Sequence, residues 1–210
     1  MVRAAALFVA VFGMAACSET DDDEEEFPDW KNTNDEYFEN LYDETVEYIE
    51  AGGTDWKIIP SWALEENVVD DSYDNIIVEV INEGTGSGCP LYSDTVKVHY
   101  EGRLLPSVSY PEGYVFDQSF YGEYDTTTAM PSTFAVTALV DGFATAVQNM
   151  HIGDRWKVYT PYQLGYGVSG SGTIPTYSVL IFDITLVSYY HVGEEVPDSK
   201  AKTSGEWIVE

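Results

Sequence analysis

The chain has 210 residues, 37 of them acidic and 9 basic, for a formal charge of -28 at pH 7. A charge of that sign excludes nucleic acid as a partner, because phosphates need a basic face, and it excludes electrostatic adsorption to anionic lipid. The acidic residues crowd positions 19 to 71 and thin out between Val96 and Leu186, so the total describes a tail and an N-terminal region more than the rest.

Residues 1–17 read as an export signal. Arg3 supplies a positive start, Ala4 to Ala15 are small and apolar, and Met14-Ala15-Ala16-Cys17 resembles a bacterial lipobox, in which the Cys becomes the lipidated first residue of the mature chain. The apolar stretch is too short to span a membrane, so membrane association is expected through acyl chains on Cys17. Plain secretion is the alternative. Residues 18–31 form an acidic tether, because Asp21 to Glu26 is too charged and too poor in apolar side chains to fold. Acidic runs directly after a lipidated Cys also resemble surface-export signals of some Gram-negative lipoproteins. That puts the outer face of the outer membrane first and the periplasm second.

Residues 32–73 hold a helix and an extended segment. Asn32, Thr33 and Asn34 offer caps, and Phe38, Leu41, Tyr42, Thr45 and Ile49 recur at helical spacing, so one amphipathic helix is expected from Asp35 to Ala51, stopped by Gly52-Gly53. Strands are expected over Trp56 to Leu64 and over Asn75 to Asn82, where Ile77, Glu79 and Ile81 alternate with Ile76, Val78 and Val80. If Cys17 is lipidated, Cys89 stays unpaired in a partly exposed Gly-Ser-Gly-Cys-Pro turn.

Farther along, Val96, Val98 and Tyr100 alternate with Lys97, His99 and Glu101, a half-buried strand with His99 on its outward side. Phe143 to Met150 suits a short helix that exits at Gly153. Trp156, Val158 and Thr160, and then Leu180, Phe182, Ile184 and Leu186, give the inward faces of further strands. Nothing in the tail, residues 191–210, identifies a site. Periodicity alone reaches a mainly antiparallel domain with one helix. His99, His151 and His191 lie far apart in no zinc-like spacing and no nucleophile motif, so neither a metal nor a catalytic triad is expected.

The segments VKVHYEG (96–102), VFD (115–117), LVDGF (139–143), PYQLGYG (161–167) and IPTYSVLIFDITL (174–186) follow one another in the order and spacing of an FKBP-type peptidyl-prolyl isomerase, which this stretch resembles. The resemblance implies an α+β fold over residues 74–190, a strongly bent antiparallel sheet wrapped around a short helix, preceded here by the N-terminal helical segment. It also implies a proline pocket, with Tyr100, Phe116, Asp117, Phe143, Tyr166 and Phe182 in catalytic positions and Val140, Leu139, Phe134 and Ile174 against the substrate. The Tyr166 hydroxyl would hold a substrate carbonyl, helped by the backbone N–H near Val140. Proline-containing polypeptides are the implied partners, and no cofactor is implied. Some exported relatives carry helical dimerisation domains, so the N-terminal helix has two expected uses, docking on the domain or contacting a second copy.

Rotation about an X-Pro bond crosses a barrier of roughly 18 to 20 kcal/mol without making or breaking a bond. A pocket accelerates it by desolvating the carbonyl and binding the twisted amide better than the planar forms, so apolar and aromatic walls are the chemistry. The chain departs from the family at three places: Phe143 stands where the pocket floor is usually Trp, Ser132 stands where the strand after Pro131 usually has an aromatic, with Phe134 two residues later, and the loop from Val168 to Thr173 is small and rich in Gly and Ser. The segments Leu105 to Tyr114 and Phe120 to Met130 are longer than in the smallest members and add Tyr110, Tyr114, Tyr121 and Tyr124 near the rim. A non-catalytic peptide-binding or chaperone module, or a peptide or glycan binder at the cell surface, is the competing reading.

Overall fold

Trp30 starts the first helix five residues ahead of the expected Asp35. In the computed structural model, which describes residues 25–64, 68, 71–122 and 129–191, α1 spans Trp30–Glu50. The early start follows from long-range partners. The Trp30 ring is buried and its indole N–H donates to Ser178 Oγ at 2.8 Å, so the turn expected to carry only caps is anchored. Asn32 to Asn34 therefore lie inside the helix. Residues 1–24, which hold the expected export signal, Cys17 and much of the expected tether, lie outside the described residues, as do Tyr124 and the tail beyond residue 191.

Trp30, Asn34, Phe38 and Thr45 form the buried stripe of α1, while Glu36, Glu39, Asp43, Glu44, Glu47 and Glu50 face solvent. Phe38 is fully buried and stacks on Tyr73 with ring centres 5.9 Å apart. Burying a side chain of that size contributes about 1.5 to 3 kcal/mol. The apolar face of α1 is thus used inside the chain, against the sheet.

Seven antiparallel strands make one sheet: β1 (Trp56–Pro60), β2 (Asn75–Asn82), β3 (Thr95–Arg103), β4 (Val115–Gln118), β5 (Ser132–Ala135), β6 (Arg155–Thr160) and β7 (Leu180–Tyr190). The spatial order is β1-β2-β6-β7-β3-β4, and β5 joins the same side of β3 as β4, pairing Thr95 to Val98 while β4 pairs Glu101 to Arg103. The first expected strand stops at Pro60 rather than Leu64. Proline has no N–H to continue the ladder, and Ser61 donates to the Asp74 carbonyl at 2.9 Å as the chain turns away.

The short helix α2 (Asp141–Val147) packs on β2 and β6, and every residue in it except Asp141 is buried. Its approach to β6 needs Gly142, because a Cβ there would lie 2.2 Å from Thr160 Cγ2. Helix α1 covers the other side of the same strands, where Tyr37 lies 6.4 Å, centre to centre, from Tyr159, and Trp56 of β1 lies 5.9 Å from the same ring. With both faces of β2 covered, Ile76, Ile77 and Val78 are all fully buried despite the alternation that predicts one wet face. His99, expected on an outward face, is also buried, and burial lowers its pKa.

Candidate functional site

The concave side of the sheet and α2 enclose a cavity of about 190 Å³. Phe143, in the first turn of α2, is its buried floor, with its ring edge-on to Phe182 at 5.0 Å and to Tyr100 at 5.9 Å. Phe116 stands edge-on to Phe182 at 5.7 Å, and Phe134 to Tyr100 at 5.6 Å. The rings form a chain, Phe134–Tyr100–Phe143–Phe182–Phe116, in which each edge-to-face pair adds about 0.5 to 1.5 kcal/mol beyond area burial. The walls are therefore rigid before any ligand arrives.

Strand register puts these rings on one face. Val158 pairs with Phe182, and Trp156 and Tyr100 each pair with Ile184, so side chains two apart on β3, β6 and β7 share the α2 side. Strand β4 breaks the alternation. Gly102 pairs with Asp117 and Arg103 with Val115, which leaves Phe116 as an extra bulged residue. Through that bulge the consecutive residues Phe116 and Asp117 both reach the cavity, which strict alternation forbids. Gly102 makes the space: a Cβ there would lie 2.5 Å from Phe116 Cζ and 3.1 Å from Phe182 Cε1.

The lip comes from residues 136–140. A 3-10 turn, Val136–Ala138, is closed by the Leu139 N–H donating to the Val136 carbonyl at 3.1 Å, and Val140 is extended before α2 begins. Ala138, Leu139 and Val140 thereby line the opening. On the other side Tyr166, 38% exposed, presents its phenol to the cavity between two glycines.

The polar groups are few. The Tyr100 hydroxyl donates to Asp117 Oδ2 at 2.6 Å, and the Gln118 N–H donates to Asp117 Oδ1 at 2.9 Å. Burial, followed by the hydrogen bond to Asp117, holds the Tyr100 phenol well above the ordinary tyrosine range. Burial and the nearby Asp117 charge push Tyr166 upward too. Both remain neutral donors at physiological pH. Among the described residues the cavity lining is apolar and aromatic apart from Asp117 and the two phenols, so what these groups offer is desolvation, shape and hydrogen bonding.

Tyr100, Phe116, Asp117, Phe134, Leu139, Val140, Phe143, Tyr166 and Phe182 all lie on the cavity wall, whereas Ile174 does not. Ile174 is buried in the core instead, because its N–H and carbonyl pair with Ser171 at 2.9 and 3.0 Å and turn the side chain inward. Ala138 and Gly102 were not expected. Both act by being small; Ala138 was signalled only by its position before LVDGF, and Gly102 only as the last residue of VHYEG. A second cavity, about 350 Å³, lies on the opposite face among Glu101, Arg103, Lys157 and Asp183. It is larger, but it is polar, and Arg103 pairs with Glu101 and Arg155 with Asp183 at its edge.

Residues 89–187 match the sequence model of the family described as FKBP-type peptidyl-prolyl cis-trans isomerase. The macrophage infectivity potentiator of Trypanosoma cruzi is 39% identical over 114 residues, 54% of this chain and 52% of that protein. The FKBP-type 22 kDa peptidyl-prolyl cis-trans isomerase of Escherichia coli strain K12 is 33% identical over 129 residues, 59% of this chain and 56% of that protein. The outer membrane protein MIP of Legionella longbeachae is 37% identical over 111 residues, 52% of this chain and 42% of that protein. The chain spans about half the length of the curated relatives it matches. The matched segment contains every residue of the aromatic cavity, from Tyr100 to Phe182, so residues 89–187 form the part of the chain that is an FKBP-type peptidyl-prolyl cis-trans isomerase domain.

Proposed function

We propose that the protein is a peptidyl-prolyl cis-trans isomerase acting on proline-containing segments of exported polypeptides, with residues 74–190 as the isomerase unit. The observation that carries this reading is the unbroken chain of edge-to-face rings around a cavity open at the Tyr166 phenol. Its volume of about 190 Å³ exceeds the roughly 150 Å³ that accommodates benzene in an engineered protein cavity, so a proline ring fits.

In this reading the ring sits on Phe143 between Tyr100, Phe116 and Phe182, and Phe134, Leu139 and Val140 flank the chain on either side of it. The Tyr166 hydroxyl and the backbone N–H of Val140 hold the neighbouring substrate carbonyl. As the X-Pro bond twists, amide resonance is lost, the carbonyl carbon becomes ketone-like, and water no longer stabilises the planar amide. A dry wall with fixed dipoles then binds the twisted form better than the planar one. Asp117 orients Tyr100 and keeps its ring at a fixed angle to Phe143.

Export through residues 1–17, an acyl anchor on Cys17 and a surface-facing position belong to the same proposal. They are supported by the lipobox-like Met14-Ala15-Ala16-Cys17 and the acidic run after it, and by the name of the Legionella relative as an outer membrane protein. Within the chain, docking of α1 uses the face that a dimer would need.

A protease-coupled assay on a proline tetrapeptide tests the activity, with the unaltered protein beside a Tyr166→Phe, Phe116→Ala double variant. Acceleration that disappears in the double variant while the circular dichroism spectrum is kept supports catalysis at this cavity. A rate equal to buffer from the intact protein overturns it and leaves a binding module.

A further inference from the structure

The first turn of α1 is clamped to the chain that follows Tyr166. Trp30 donates its indole N–H to Ser178 Oγ at 2.8 Å, and Ser178 donates to the Pro175 carbonyl at 2.9 Å. One turn on, fully buried Asn34 donates to the Trp30 carbonyl at 2.6 Å and accepts the Val179 N–H at 2.7 Å. Between these two contacts the Lys31 ammonium sits 5.5 Å from the centre of the Tyr177 ring. All of them converge on residues 177–179.

Tyr177 is where the clamp meets the cavity. Its φ of 61° puts a non-glycine residue in the left-handed region, a conformation that persists only where the surroundings over-determine it. Its N–H donates to the Gly167 carbonyl at 3.1 Å, and its ring meets Tyr162 edge-on at 5.1 Å. Gly167 is the residue after Tyr166, and its own N–H donates to the Tyr162 carbonyl at 2.8 Å. A continuous set of bonds therefore runs from α1 through Ser178, Val179 and Tyr177 to the backbone that carries the Tyr166 phenol. The segment between has Gly165, Gly167, Gly170 and Gly172. Such a segment has little stiffness of its own.

We infer that the first turn of α1 is a brace for the cavity: Trp30 and Asn34 are positioning residues that fix the Tyr166 hydroxyl at the lip by holding residues 177–179. They touch no substrate. The effect on rate rests on the isomerase reading, whereas the effect on the loop does not.

Two variants of the full chain test this. Trp30→Phe keeps an aromatic ring and removes the N–H, and Asn34→Leu keeps the size and removes both bonds. Amide hydrogen exchange over residues 165–179 is expected to rise by about ten-fold or more in each variant, with the amides of α2 unchanged. Unchanged exchange over 165–179 overturns the brace, whether or not the protein is active. The kcat/KM of Trp30→Phe is expected to fall about three- to ten-fold, and to fall no further when Tyr166 is already Phe, because the hydroxyl being aligned is then gone. An equal fall in both backgrounds would mean diffuse damage and overturn the inference. If the unaltered protein runs at the buffer rate, the isomerase reading fails, and the exchange result alone decides the brace.

Discussion

Tyr100 and Asp117 meet on the diagonal of the β3–β4 pair, where the phenol donates to the carboxylate at 2.6 Å. Burial first, and then that bond, keep the phenol proton on well above the ordinary tyrosine range. The folded chain holds this proton more tightly than the unfolded chain does. Its contribution to stability is therefore complete below the unfolded pKa of about 10 and is lost as pH rises through the higher folded value. The melting temperature is expected to drop as pH is raised above about 10, and to drop less in Tyr100→Phe. Parallel curves for the two proteins would assign the alkaline loss to other tyrosines. By contrast, kcat/KM should be flat from about pH 6 to 8, since among the described residues no His or Cys lines the cavity.

Gly102→Ala is a steric test of the bulge. The added methyl would lie 2.5 Å from Phe116 and 3.1 Å from Phe182, so the two rings must separate. Overpacking of this kind costs about 1 to 3 kcal/mol, read from denaturant unfolding. Activity should fall more than stability, because the displaced ring is the cavity wall. Full activity in a folded Gly102→Ala protein would remove Phe116 from the substrate contact.

Phe143→Trp probes the floor. Some 40 Å² of extra contact beneath a proline ring, at about 25 cal/mol per Å², is worth about 1 kcal/mol, or roughly five-fold in rate if expressed in the transition state. The indole would share the cavity of about 190 Å³ above Phe143 with the proline ring, so the gain requires that it lie flat beneath the ring. The expected result is a several-fold rise in kcat/KM with the melting temperature kept. A folded variant that is no faster shifts attention to the Gly- and Ser-rich loop around Gly170.

Cys17→Ala addresses the anchor. The variant is expected in the soluble fraction with the same circular dichroism and isomerase rate as the unaltered protein, because an acidic run separates Cys17 from α1 in the sequence. Equal membrane partitioning of both proteins would refute lipidation at this position.

Strand β2 was legible to the residue, because alternation over Asn75–Asn82 is a local property. The cavity was legible because its residues come in short segments whose order survives in the sequence. What sequence could not show depends on partners far along the chain. Trp30 joins α1 through Ser178, 148 positions away. Ile174 turns inward because of a bridge to Ser171. Phe116 and Asp117 share a face only because β4 pairs with β3 around a bulge, and His99 is buried although its neighbours in sequence read it as outward. Periodicity records which faces differ, not what later covers them.

Helix α1 and β1 give the sheet a second roof over Ile77 and Tyr159. A protein cut to residues 74–190 would keep every residue that lines the aromatic cavity and yet bare that side to water, including an aromatic face and the ladder edge of β2. It would then expose what amyloid-forming and self-pairing strands expose. The stretch that matches the family is thus shorter than the stretch that covers both faces of β2, and the acidic outer face of α1 is what solvent meets instead.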